Sequence, residues 1–162
     1  MLKKYWFHLV FLLSIIAISF AWIAEYYLNL EPCSMCLKQR EPYYAIILIF
    51  LLFIIFRIQK IIWFFLSVQI ITIYGLFYSL WHVGIEQKII LGPSGCSGEL
   101  DISTDTSSLK EQILSKSVIS CEDIAWSIFG LSAATINSLL LFLIFLINAI
   151  YLWNMYDSKE EK

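Results

Sequence analysis

Four stretches of this chain contain no Asp, Glu, Lys or Arg: Tyr5–Ala24, Pro42–Phe56, Ile61–Ile85 and Ile124–Tyr156. At about 1.5 Å of rise per residue, ~20 apolar residues cross the ~30 Å hydrocarbon core of a bilayer as a helix. The first, third and fourth stretches are long enough. The second is short alone, but Arg40 and Arg57 at its ends can snorkel to the headgroups. The pattern predicts an all-α membrane protein: a four-transmembrane-helix bundle forming a single domain over residues 1–162. Its spans fall at approximately 5–27, 42–57, 61–84 and 124–154, and its connecting loops at approximately 28–41 and 85–123. Pro42 places the start of the second spanning helix at residue 42, with 33–40 as a separate turn, because proline suits the first turn of a helix and restricts the residue before it.

Composition excludes the soluble alternative. The chain is 60% hydrophobic and 15% charged, against about 25% charged for ordinary soluble domains, so too little polar sequence remains to cover four buried helices. Without a basic patch, the net charge of -2 gives no sign of a nucleic-acid partner. The first span starts after basic residues, like a signal peptide. Its apolar run exceeds the usual 7–15 residues of a signal core, and three more spans follow, so it is expected to be retained.

Charge sets the orientation. Lys3 and Lys4, then Arg57 and Lys60, then Lys159 and Lys162 fall on one side, which the positive-inside rule makes the cytoplasm, together with both termini. The other side receives an acidic segment carrying Glu86, Glu99, Asp101, Asp105, Glu111, Glu122 and Asp123. Trp6 and Tyr26 frame the first span, and Trp63 and Trp81 the third, as interfacial anchors.

All four cysteines, Cys33, Cys36, Cys96 and Cys121, lie in the two exported segments. An even number of cysteines in a disulfide-permissive compartment suggests pairing. A zinc site is the competing reading, but there is one Cys-x-x-Cys, and Cys96 and Cys121 lack chelate spacing. A Cys96–Cys121 bridge could simply brace its loop, stabilising by roughly 3–4 kcal/mol. A bridge within Cys33-Ser-Met-Cys36 restrains almost nothing and makes sense mainly as a bond that opens and closes. Cys36 sits near an expected helix N-terminus, which favours thiolate, and Arg40 follows it by one helical turn. Gly92-Pro93-Ser94-Gly95-Cys96-Ser97-Gly98 marks an exposed, bendable stretch. Leu109, Ile113, Leu114 and Val118 follow at helical spacing, which predicts a short amphipathic helix on the membrane surface in the second exported loop.

Cys33-Ser-Met-Cys36-Leu-Lys-Gln-Arg40, His82-Val-Gly-Ile-Glu86-Gln, Leu91-Gly-Pro-Ser-Gly-Cys96, and Cys121-Glu-Asp-Ile-Ala-Trp126 followed by Phe129-Gly-Leu-Ser132 resemble the bacterial DsbB family of disulfide bond formation proteins over nearly the whole chain. The resemblance implies a multi-pass inner-membrane thiol:quinone oxidoreductase that reoxidises a periplasmic thiol oxidase of the DsbA type and supports disulfide formation during protein folding. Its cofactor would be ubiquinone or menaquinone. It further implies catalytic disulfides Cys33–Cys36 and Cys96–Cys121. Cys96 would meet the partner, Cys121 would engage Cys33, and Cys36 would deliver electrons to the quinone beside Arg40 and His82. The vitamin K epoxide reductase-like proteins share a similar helical frame, but their quinone-side Cys-x-x-Cys sits late in the chain, whereas here it is early. A relative with one dedicated partner and a redox-inert, disulfide-braced scaffold are the remaining alternatives.

Overall fold

A computed structural model describes residues 2–93, 96, 120–124 and 126–160. Among these the chain is mostly helical: α1 (Leu2–Tyr26), α2 (Ser34–Ile55), α3 (Ile61–Glu86) and α4 (Ala133–Glu160), with two short strands, β1 (Ser127–Ile128) and β2 (Leu131–Ser132), ahead of α4. Three helical segments, Tyr5–Tyr26, Ile61–Glu86 and Ala133–Asp157, are long and apolar enough to cross a membrane. The amphipathic helix expected around residues 109–118 lies outside the described residues.

The helices pack up and down. Phe7 at the start of α1, Phe50 near the end of α2, and Phe64 and Phe65 at the start of α3 form a ring cluster, joined by Trp6 stacking on Tyr151 of α4. Phe7 and Phe50 have centroids 4.5 Å apart, within the favourable range for aromatic pairs. That end of the bundle is mostly ring and aliphatic packing, with Asn148 of α4 donating to Phe65 O and Gln69 Oε1, and all four cysteines gather at the other end. Three buried hydroxyls are satisfied locally: Ser14, Thr72 and Ser138 donate to carbonyls one turn back, as hydroxyls in apolar helices do.

Two element boundaries differ from the sequence expectation. Helix α2 begins at Ser34 and runs through Pro42. Proline inside a helix removes one backbone hydrogen bond and crowds the preceding turn. Here the ring is fully buried and fills a notch at Gly75 of α3: a Cβ on Gly75 would stand 2.7 Å from Pro42 Cγ and 3.0 Å from Leu141 Cδ1 of α4. Pro42 is thus a packing knob at a three-helix crossing. The second difference lies before α4, which starts at Ala133 rather than near 124. Phe129 and Gly130 both take positive φ, 53° and 78°, and reverse the chain between the pairs Ser127↔Ser132 and Ile128↔Leu131. Two central residues of this kind form the turn that matches strand twist in a tight hairpin.

Candidate functional site

Helix α2 builds the site from its first turn. Cys33 is its N-cap, and the Cys33 sulfur accepts from the Cys36 backbone N–H at 3.2 Å. A sulfur at this position meets the unpaired N–H groups and positive end of the helix dipole. Continuous helix from Ser34 also brings Cys36 back over Cys33, with the two Sγ atoms 2.7 Å apart as free thiols. The Cys33–Cys36 disulfide expected from resemblance is therefore open in this structure. Cys96 and Cys121 are joined, and Cys121 N–H donates to Cys96 O at 2.8 Å.

The two pairs meet. Cys33, Cys96 and Cys121 are all buried and share one cluster with Met35 and Ile85. The Sγ atoms of Cys33 and Cys121 and an imidazole nitrogen of His82 lie within 4.8 Å of one another. Ser34 Oγ stands 3.0 Å from Cys96 Sγ and 3.7 Å from Cys121 Sγ. His82 Nε2 is 3.6 Å from Cys33 Sγ.

In the reduced pair the N-cap position favours charge on the Cys33 sulfur. The hydrogen bond from the Cys36 thiol draws the Cys33 thiol down to about 4, with His82 assisting and burial opposing. The Cys36 thiol is pushed up by that same bond and by burial. The Arg40 guanidinium binds Glu25 of α1, Nη1 to Oε2 at 2.5 Å. Being largely buried, this pair staples α1 to α2 just beneath the cysteines.

A cavity of about 430 Å³ opens beside the pair, lined by Cys33, Cys36, Arg40 and His82 together with apolar residues such as Leu13, Ala17, Phe20 and Leu140. Apolar walls with a few convergent polar groups are the usual form of a small-molecule site. All six residues singled out in the sequence lie in or against this region. The sequence reading did not single out Ser34, Gln39, Tyr43, Asn137 or Glu25. Gln39 donates to His82 Nδ1 at 2.9 Å, and Asn137 and Tyr43 continue the network. Asn137, a strongly polar residue in a mostly apolar span, was the available signal, since intramembrane polar groups are costly and usually functional.

Together, a helical membrane frame and a buried disulfide within reach of an N-cap thiol define a thiol-redox membrane protein. The chain belongs to the family described as disulfide bond formation protein DsbB, which matches residues 3–152. It is also 32% identical over 131 residues, 79% of this chain and 75% of the relative, to "Uncharacterized protein RP370" of Rickettsia prowazekii (strain Madrid E). No solved structure matches. Membership implies protein-disulfide oxidoreductase activity in a multi-pass membrane setting.

Proposed function

We propose that the protein is a thiol:quinone oxidoreductase of the bacterial inner membrane that reoxidises a periplasmic DsbA-type thiol oxidase. In this reading α2 is a fourth span, both termini are cytoplasmic, and the cysteine end faces the periplasm. The observation that carries it is the position of the Cys33 sulfur, 2.7 Å from Cys36 Sγ and within 4.8 Å of Cys121 Sγ.

Each transfer is a thiol–disulfide exchange. A partner thiolate attacks Cys96 Sγ, the Cys96–Cys121 bond breaks, and Cys121 leaves as thiolate. Cys121 attacks Cys33 of an oxidised Cys33–Cys36 pair, and Cys36 leaves as thiolate. The partner's second thiol displaces Cys96, completing the partner's disulfide. Cys96 thiolate then attacks Cys121, which restores Cys96–Cys121 and leaves Cys33 and Cys36 reduced. The largest cause that raises Cys36 is Cys33 as a hydrogen-bonded neighbour, with burial next. Bonding Cys33 to Cys121 removes the first and leaves the second, which eases ionisation of Cys36 while Cys33 is engaged.

The cavity suits a quinone: it is apolar, it is lined by both Cys33 and Cys36, and Arg40 stands on it as a donor, with His82 beside Cys33. A bound quinone supplies a two-electron, two-proton acceptor. The chain holds the dithiol against that site, offers the Arg40 guanidinium to a carbonyl oxygen, and excludes water with the Leu13, Phe20 and Leu140 walls. Trapping tests the thiol half. Cys121→Ser should accumulate a mixed disulfide between Cys96 and a reduced DsbA-type partner, stable in non-reducing gels. A redox-inert scaffold forms no such adduct.

A further inference from the structure

A buried chain of hydrogen bonds links three helices to the reactive sulfur. Tyr43 O–H donates to Asn137 Oδ1 at 2.5 Å. Asn137 Nδ2 donates to Gln39 Oε1 at 3.3 Å and to Ser79 Oγ at 3.1 Å. Gln39 Nε2 donates to His82 Nδ1 at 2.9 Å, and His82 Nε2 faces Cys33 Sγ at 3.6 Å. Tyr43, Gln39, His82 and Ser79 are all buried, where an unpaired polar group is costly.

The direction of the chain follows from its far end. Turning both amides over would reverse every bond and put the imidazole proton on Nδ1. The Tyr43 hydroxyl hydrogen would then have no acceptor among the described residues. The observed direction binds it, and each following amide orientation is dictated by the one before. Nδ1 is therefore the acceptor, and the proton sits on Nε2, toward Cys33.

We infer that Gln39, Asn137 and Tyr43 are positioning residues that lock His82 in its Nε2–H form, so that His82 donates a hydrogen bond to the Cys33 sulfur instead of acting as its base. This rests on the redox reading of the site and adds the role of a network outside the cysteines. It also separates the site from Cys–His nucleophile pairs, in which the imidazole takes the thiol proton. The two amides in the chain cannot pass a proton along, so the network orients and does not conduct. A donor fixed in this way favours the charged form of Cys33. The other ionisable groups around it are Cys36 on α2, Arg40 paired with Glu25 of α1, and Glu86 on α3, which accepts from Ser132. Glu31 and Asp123, from the connecting segments, line the same cavity.

The test is nitrogen-15 NMR of histidine-labelled, reduced, full-length protein in nanodiscs, without quinone or partner. The chain has two histidines, so a His8→Gln variant assigns the signals. The expected wild-type pattern is a pyridine-like Nδ1 and a pyrrole-like Nε2. Gln39→Glu puts an acceptor at Nδ1 and should make that nitrogen protonated. Tyr43→Phe keeps the ring packing and should give partial averaging of the two signals, with the Cys33 thiolate midpoint moving up by up to about one unit. A protonated Nδ1 in the wild type overturns the inference, as does a tautomer indifferent to both substitutions. If Gln39→Glu does not fold, Tyr43→Phe alone decides. Neither readout involves electron transfer, so loss of the quinone reading would leave this result standing, and the reverse.

Discussion

Ser34 Oγ lies 3.0 Å from Cys96 Sγ, so the residue between the two reactive thiols of α2 touches the disulfide of the other pair. The same hydroxyl is 3.7 Å from Cys121 Sγ. Whichever sulfur leaves as thiolate when that bond opens finds an O–H donor waiting. A hydrogen bond to a charged acceptor contributes about 1.5 kcal/mol, or roughly tenfold in rate. Ser34→Ala should slow opening of Cys96–Cys121 by roughly that factor, and Ser34→Thr should recover part of it. Acid-quenched trapping of the mixed disulfide measures both.

The Arg40–Glu25 pair predicts a separation of binding from folding. Arg40→Met strands a partly buried carboxylate, and the double variant Arg40→Met, Glu25→Gln removes that penalty. Thermal unfolding in detergent should show the double variant more stable than Arg40→Met. The KM for quinone should stay raised by about tenfold in both, because the guanidinium is absent from each. Recovery of KM in the double variant would make Arg40 purely structural.

The reduced Cys33/Cys36 pair should ionise in one step across the accessible range. Cys33 is drawn down to about 4 and Cys36 is pushed up. Thiolate absorbance at 240 nm should therefore show one thiolate per molecule at neutral pH and fall as the pH drops through about 4, with no second rise at mildly alkaline pH. A group whose acid form is disfavoured in the fold loses that contribution as pH falls from its ordinary value toward its folded one, so the stability that Cys33 adds to the reduced protein should shrink between about pH 9 and about pH 4 and be gone below it. Cys36→Ala, which removes the side-chain donor, should move the Cys33 midpoint upward.

Much of this was readable along the chain because bilayer physics is one-dimensional. Charge-free runs fixed where α1 and α3 lie, and the cysteines, Arg40 and His82 stood out by residue type. What escaped depended on neighbours far away in sequence. Pro42 stops a helix by local rules, yet α2 passes through it because Gly75 of α3 leaves room for the ring. The start of α4 escaped for a local reason: charge counting does not see a turn, although Phe129-Gly130 between short apolar pairs carries one. The position of the charge in the cysteine pair followed from the N-cap geometry of Cys33, which a later helix start had hidden. Arg40 found Glu25 across the bundle.

Gly75 yields a stability prediction. Gly75→Val places atoms where Pro42 and Leu141 already lie, at 2.7 and 3.0 Å from the first added carbon. Overpacking of this kind costs about 1–3 kcal/mol. Thermal unfolding in detergent should show the loss. Pro42→Ala in the same chain should relieve part of it, because it empties the notch from the other side.

The most direct test of the central claim is anaerobic mixing of purified protein with a quinone and a reduced DsbA-type partner, following quinone absorbance. Ubiquinone and menaquinone are run in parallel. The account predicts stoichiometric loss of at least one oxidised quinone, matched by disulfide formation in the partner and abolished by Cys36→Ser. Partner oxidation without consumption of either quinone, or consumption that survives Cys36→Ser, would contradict it.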